Sequence, residues 1–504
     1  MTSVTQYGSL EGHIKELEQI VGSRYVFLEE HHRAIKSTTC APFPMHRWGE
    51  HLPDVVVMPG TRDEVAEIVR FANKYKIPVV PRGAGAGLAD GALPLRKGIV
   101  VDIKRMREIL EIDEVNMTAT VQPGINMLEL NKILGKLGLF YPDDPASYTV
   151  NVIGGRIGTG GFSLLGACYG HVPDLVISME VVLPTGEIIR VGEGGGLKIR
   201  KSSVGFRLKD LFIGHQGTLG IVTEATLDLF PKPEAEFPAF FGYSSFEQAY
   251  ENAYNIGKAG LKTLGGLVMF DEKKIDFLRR DDEAYIPLPE DIRSVIATVC
   301  YGTMEEVEAA KKRLFKIAES GGAKYLGEEL SEGDWASRHD RYHIAYHGRR
   351  SDGQVVLLSW HCEDCAINHS ELPYVNRRWH EIVKKYQDKY EGVFDDWGMF
   401  MYINNPFKTW GDYLTEIDIG LNELVLNDEI WQAWVDMKRE IAEVALEVGG
   451  SISSCHGGVR EGDVDLACNV ELKEGQFELM KKIKKMLDPN NIMNPGKYNL
   501  DEAY

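Results

Sequence analysis

Pro81-Arg82-Gly83-Ala84-Gly85-Ala86-Gly87, continuing as Leu88-Ala89-Asp90-Gly91, follows a short apolar run at residues 77–80 that reads as a buried strand. Three glycines on alternate residues let the backbone take positive φ and approach a ligand closely. Successive N–H groups in such a turn form a concavity suited to phosphate oxygens. A dinucleotide fingerprint would need a helix to open inside the glycines. Here Gly91, Ala92, Leu93 and Pro94 come next, which cannot carry a helix, and a second strand is expected over residues 99–103. The stretch is therefore a strand–glycine loop–strand unit. It reads either as a pyrophosphate cradle made without a helix dipole or as an ordinary glycine-rich hairpin.

Around this unit the chain of 504 residues is long enough for two or more domains with full cores. A net charge of −19 argues against a nucleic-acid partner. No signal peptide or membrane span is visible, and seven scattered cysteines fit reduced thiols, so a cytoplasmic protein is expected. Helices are expected at 9–22, at 62–75 with a Thr61/Glu64 cap, and at 127–137, with strands at 118–121, 176–183, 188–191 and 221–230. Two further glycine clusters, at 154–161 and 214–220, punctuate this half. Pro231-Lys232-Pro233-Glu234 reads as a linker. Beyond it, a β-α-β, β-α-β order suggests an antiparallel sheet with helices on one face. Residues 331–440 are less regular, with a helix at 373–390, strands at 400–403 and 414–421, and a helix at 429–448. A final helix is expected at 476–487.

Four motifs in one order, P-R-G-A-G-A-G, V-V-L-P-T-G, G-T-L-G-I-V-T and D-P-N-N-I-M-N-P-G-K, resemble the flavoproteins with a p-cresol-methylhydroxylase-type FAD domain, the vanillyl-alcohol-oxidase superfamily. Within it the chain looks most like the D-lactate/glycolate oxidase branch. The resemblance implies an α+β protein: a two-subdomain FAD-binding domain over residues 1–234 (core about 48–234), a cap domain over 235–448 with an antiparallel sheet covered by helices, and a C-terminal segment, 449–504, returning to the FAD domain. It implies that Pro81, Arg82, Gly83, Ala84, Gly85, Ala86 and Gly87 hold the FAD pyrophosphate. Pro145, Ala146, Ser147, Gly154, Gly155, Gly158, Thr159 and Gly161 would line the isoalloxazine and ribityl chain. Tyr169, Gly170 and His171 count among the flavin contacts; His171 and His215 are weaker catalytic candidates, expected to touch the flavin rather than to do acid–base chemistry. Gly217, Thr218, Gly220, Ile221 and Val222 would meet the adenine side, and Asn494 with Lys497 would close over the cofactor. No histidine lies between His51 and His171, so dissociable FAD is expected; attachment through His171, His456 or a tyrosine stays open.

In the cap, Trp335-Ala336-Ser337-Arg338 resembles a pattern whose arginine holds a substrate carboxylate, work for which a guanidinium fork is suited. Metal-dependent relatives carry two histidines and a glutamate; the corresponding run at 397–404 has no histidine, and Cys455 stands where the glutamate would be. With only Cys455 and His456 left, no catalytic metal is expected. His456 is the leading catalytic candidate, a base for the hydroxyl proton while hydride passes to the flavin. Arg460 lies near a phenolate-binding position of the vanillyl-alcohol branch, but Val459 leaves that clamp incomplete. Cys362-x-x-Cys365 reads as coincidence, since a closed metal site needs four ligands. Tyr390, Trp397, Tyr402, Trp410 and Tyr413 read as cap core that could give the pocket an aromatic preference.

The expected activity is removal of hydride and proton from a small hydroxylated substrate, first a D-2-hydroxy acid. A phenol or aromatic-alcohol oxidation like that of vanillyl-alcohol oxidase or 4-cresol dehydrogenase is the alternative. An alkylglycerone-phosphate-synthase-like transferase and a flavin subunit of an electron-transfer complex rank lower. A homo-oligomer is also expected; the electron acceptor stays open between oxygen, a quinone, a cytochrome and an electron-transfer partner protein.

Overall fold

The computed structural model describes residues 7–40, 43–193, 198–281, 286–339, 346–405, 408, 410–457, 464–473 and 475–504, and only the backbone at 45, 346, 347 and 349. β1 (Val26–Phe27), β2 (Val55–Val57), β3 (Val79–Arg82) and β4 (Ile99–Asp102) form a sheet in the order β1-β2-β4-β3. Both β2 and β3 run parallel to β4, with Val79 opposite Ile99. The glycine loop thus joins two parallel neighbours. A hairpin requires antiparallel strands, so that alternative is excluded. The helix Arg62–Tyr75 covers this sheet with Val65, Ile68, Val69 and Ala72, and Thr61 accepts the Glu64 N–H at 3.1 Å as its cap.

The next strands are β5 (Ile109–Asp113), β6 (Thr118–Val121), β7 (Leu139–Phe140), β8 (Val176–Val182), β9 (Ile188–Val191), β10 (Ile221–Asp228) and β11 (Phe230–Pro231). Five of them make an antiparallel sheet, β5-β6-β10-β8-β9, and β7 pairs with β11. The expected linker therefore starts on a short strand.

From Ala235 onward one sheet takes over. Its strands are β12 (Ala235–Tyr243), β13 (Leu264–Phe270), β14 (Ser294–Gly302), β15 (Lys324–Tyr325), β16 (Tyr346–Arg349), β17 (Val355–Asn368), β18 (Phe394–Ile403) and β19 (Asp412–Asn422), in the order β15-β12-β14-β13-β18-β19-β17-β16. All its pairings are antiparallel. The helices Phe246–Lys258, Met304–Ser320, Leu372–Lys389 and Asp428–Glu447 bury Met269, Ile296, Ile367, Trp379, Ile417 and Ile441 against one face. Strand alternation then delivers Trp360, Cys362, Glu416 and Asp418 to the other face. Cys365 points into the helix-side core while Cys362 packs with Trp360 on the opposite side. The two cysteines therefore cannot ligate one ion.

The C-terminal segment recrosses the molecule. Ser451 forms an antiparallel bridge with Ala366 of β17, and Met493 forms a parallel bridge with Val79 of β3. The buried Lys484 ammonium donates to the carbonyls of Thr218 (3.0 Å) and Met493 (2.7 Å) and pairs with Asp488 at 2.6 Å. Three segments far apart in sequence are thereby held at one point.

A second buried ionic cluster stiffens the cap. His380 sits between Asp271 (2.6 Å) and Asp396 (2.7 Å); burial pulls its pKa down, but the two carboxylates outweigh this and raise it to about 10. Because an unfolded histidine titrates near ~6.5, the stabilisation is complete below that pH and is lost as pH rises through the folded value. We expect His380→Gln to cost about 3–5 kcal/mol in urea unfolding at mildly acid pH. The cost should shrink towards alkaline pH; a penalty independent of pH would contradict the assignment.

Candidate active site

The glycine loops and the inner face of the eight-stranded sheet enclose one cleft of about 1700 Å³. Its first wall carries all seven residues from Pro81 to Gly87, then Pro145, Ala146, Ser147, Gly154, Gly155, Gly158, Thr159, Gly217, Gly220, Ile221 and Val222. The facing wall is Trp360, Phe400, Tyr402, Leu414 and Glu416, with Cys455 and His456 from the returning C-terminal segment.

The first wall has donors to spare. The N–H groups of residues 84–88 donate to no protein acceptor among the described residues. Gly85 takes φ +76°, and a Cβ there would lie 2.2 Å from the Arg82 guanidinium. That guanidinium donates to the carbonyls of Lys36, Thr38 and Ala92, which fixes the loop, while its Nε is buried at the cleft without a partner among the described residues. A row of unspent N–H groups beside a buried cation is an anion cradle.

The second glycine cluster departs from the loop expected of it, since Ile153–Thr159 is a short helix. Glycine's low helix propensity hid it from the sequence. Close packing accounts for Gly154, where a Cβ would lie 2.7 Å from Pro123 and 2.8 Å from Ile103. Arg156 in this helix is buried and holds Asp143 through two bonds of 2.7 and 2.8 Å.

Several expected cofactor contacts stand behind the cleft rather than in it. Asn494 donates to the carbonyls of Gly91 (2.7 Å) and Gln216 (2.6 Å), and Lys497 donates to the Asp90 carbonyl at 2.6 Å. They tie the first and third glycine loops together, and burial lowers the Lys497 pKa to about 8. Thr218 bonds the His215 carbonyl at 2.6 Å, Gly161 packs on Arg156, and Tyr169 lies between Phe140 and Phe230, with Gly170 in the turn after it. His171 accepts from the Ser163 N–H and donates to the Asn404 carbonyl, so both ring nitrogens are occupied away from the cleft. His215 does line the cleft, neutral because burial and then Lys484 push its pKa down to about 4. Arg460 lies outside the described residues.

His456 is where the chemistry converges. Its Nδ1–H donates to Asp364 Oδ1 at 2.6 Å, and Asp364 Oδ2 also accepts from the N–H groups of Ser454 (2.9 Å) and Cys455 (2.7 Å). Burial would depress the His456 pKa, but the Asp364 carboxylate wins and holds it well above the usual imidazole value. Glu416 shows the opposite balance. Burial, reinforced by Asp418, holds its carboxyl far above the usual range, and its Oε1 is buried with no partner among the described residues. Both effects favour its protonated form.

Neither Asp364 nor Glu416 was singled out from sequence. The signal was polar alternation inside strands: Trp360-Cys362-Asp364 on one, Glu416-Asp418 on the next. This also corrects the ligand count at the site. One ring nitrogen of His456, Cys362 Sγ and a Glu416 oxygen lie within 4.8 Å of one another, so more potential donors are present than Cys455 and His456.

Arg338 is corrected too. Its Nε and Nη2 hold Asp144 at 2.9 and 3.4 Å, and Nη1 donates to the Trp335 carbonyl. His339 reaches the same carboxylate at 2.7 Å. The carboxylate in the fork is the chain's own, so Arg338 links the cap to the loop before Pro145.

Comparison with known proteins accords with this geometry. Residues 53–192 match the family described as FAD binding domain, and residues 232–498 match FAD linked oxidases, C-terminal domain. The chain is 32% identical over 457 residues to the glycolate oxidase subunit GlcD of Bacillus subtilis, with 90% of each covered. It is 30% identical over 454 residues to a D-lactate dehydrogenase of Archaeoglobus fulgidus, covering 88% of this chain and 90% of that one. The solved structure of p-cresol methylhydroxylase superimposes with a TM-score of 0.78 over 96% of both chains at 18% identity, a likeness of fold.

The spare N–H row fits an FAD pyrophosphate. We expect Gly85→Ala to weaken FAD binding about tenfold or more in titrations of the apoprotein, because left-handed backbone alone costs an L-residue roughly 1–2 kcal/mol. Unchanged affinity would show that this loop is not the cradle.

Proposed function

We propose that this chain, which belongs to the FAD-linked oxidases, removes a hydride and a proton from a D-2-hydroxy acid. The observation that carries the reading is the cleft itself, in which a phosphate cradle faces a histidine–aspartate pair across one space. The names of the relatives, a glycolate oxidase subunit and a D-lactate dehydrogenase, support the substrate class.

Bound FAD supplies the hydride acceptor. His456 takes the hydroxyl proton, and Asp364 orients the ring through Nδ1 and stabilises the imidazolium that forms. Glu416, whose unpartnered Oε1 is buried at the cleft and whose burial favours the protonated form, is placed to donate to the substrate carboxylate, a role open to it because Arg338 is engaged by Asp144. Trp360, Phe400 and Tyr402 keep water from the reacting atoms. The scheme is written without a metal; a divalent ion at this point would draw on Nε2 of His456, Cys362 and Glu416, with Asp364 orienting the ring from Nδ1.

A second reading, oxidation of a phenol or aromatic alcohol, is favoured by that aromatic wall and by the absence of an unengaged arginine among the cleft's described residues. FAD is held without a covalent bond, a reading supported by the position of His171. Acid precipitation should leave the yellow colour in the supernatant, and a yellow pellet would refute it. No helix among the described residues is long and apolar enough to cross a membrane.

Anaerobic stopped-flow reduction of the flavin by 2-hydroxy acids tests the mechanism. A base works when neutral, so the rate should rise with pH through an inflection above the ordinary histidine value near ~6.5. Asp364→Asn should move that inflection down, and His456→Gln should slow reduction by about 10²–10⁴-fold. The wild-type rate should survive chelator treatment. A flat pH profile, near-normal His456→Gln, or loss of rate restored by a divalent metal would each count against the scheme.

A further inference from the structure

A second cavity opens inside the cap beside the cleft. It is lined from β12, β13 and β14, from the helices Glu272–Arg280 and Glu328–Ala336, and from the sheet face that bears Trp360. Leu164, Trp360, Phe400 and Tyr402 line both spaces, so the two adjoin along one aliphatic and three aromatic side chains.

The chemistry of the second space is one-sided. Phe240, Val268, Phe270, Phe277, Val299 and Trp335 supply most of its surface. Its charged groups are satisfied by one another or by neighbours. Lys274 pairs with Asp418, Asp418 accepts the Trp360 indole N–H at 2.7 Å, and Arg338 is held by Asp144. Ser331 donates to the Gly327 carbonyl and accepts the Phe240 N–H. Nothing in this lining calls for a charged ligand. Protein interiors are close-packed, and a large apolar space next to a reaction cleft is the usual form of a ligand pocket. Ala297 and Gly266, on adjacent strands, present small residues to it, and Gly266 packs directly on Leu164, where a Cβ would fall 2.5 Å from the carbonyl.

We infer that the substrate's hydroxy-acid end lies in the cleft at His456 while an apolar side chain, aryl or alkyl and larger than methyl, extends past Leu164, Trp360, Phe400 and Tyr402 into the second cavity. This rests on the hydroxy-acid reading above and narrows it to hydroxy acids with a bulky apolar tail.

The test is anaerobic flavin reduction of the holoenzyme by a graded series: lactate, 2-hydroxybutyrate, 2-hydroxyhexanoate, 2-hydroxyoctanoate and 3-phenyllactate. Transfer of a methylene out of water predicts a gain in reduction rate over Kd of about fourfold per added carbon until the cavity is full. Phenyllactate should exceed lactate by at least about 100-fold on the same scale. Ala297→Leu, in the second cavity and absent from the cleft, should remove at least about tenfold of the gain while leaving lactate unchanged. Val268→Phe is the parallel variant should Ala297→Leu fail to fold. Equal or falling values along the series overturn the tail pocket but leave the hydroxy-acid reading intact. Reduction by no member of the series overturns both.

Discussion

One buried carboxylate, Asp364, holds the catalytic wall together. It projects from β17 and accepts from two successive main-chain N–H groups and from the imidazole of His456. A carboxylate out of water needs that many donors, because an unpaired buried charge is very costly. The requirement runs both ways. The turn at Ser454 and Cys455 has a fixed conformation because its N–H groups are spent on Asp364, and the turn and the ring offset the cost of burying that carboxylate. The bridge between Ser451, three residues before Ser454, and Ala366, two residues after Asp364, sets the register of the same contact.

The rest of the molecule arranges two surfaces around that point. The first half of the chain contributes a cradle of main-chain donors, with Arg82 bracing it from within and Asn494 and Lys497 tying it from behind. The cap contributes a sheet whose helix-side face is ordinary core and whose other face is aromatic and acidic. Arg338 and His339 grip Asp144 between the two parts, directly before the residues that line the cleft. An arginine that resembles a substrate ligand in sequence is here a joint in the structure. The carboxylate it was suited to bind turned out to be intramolecular.

Legibility followed the physics of each segment. Helices with a clean apolar period, such as Arg62–Tyr75 and Gln476–Leu487, appear where the sequence predicts them. The glycine loop was legible because its own residues forbid helix, although its parallel setting was not, since that depends on β2 and β4. β17 was missed for the reason it matters: Trp360-His361-Cys362-Glu363-Asp364 places polar groups in a buried strand, against the propensities used to find strands. The helix Ile153–Thr159 was missed because packing against Pro123 and Ile103 overrides glycine's aversion to helix. His456 was found from sequence, but its partner was 92 residues away on another element. Distance in sequence, not weakness of the contact, hid the pair.

The account stands most directly on the coupling between Asp364 and His456. A double-mutant cycle on anaerobic flavin reduction, with Asp364→Asn, His456→Gln and the pair combined, measures it. If Asp364 acts through the ring, the double variant should be no slower than His456→Gln alone. Losses that multiply would show two independent contributions and contradict the account.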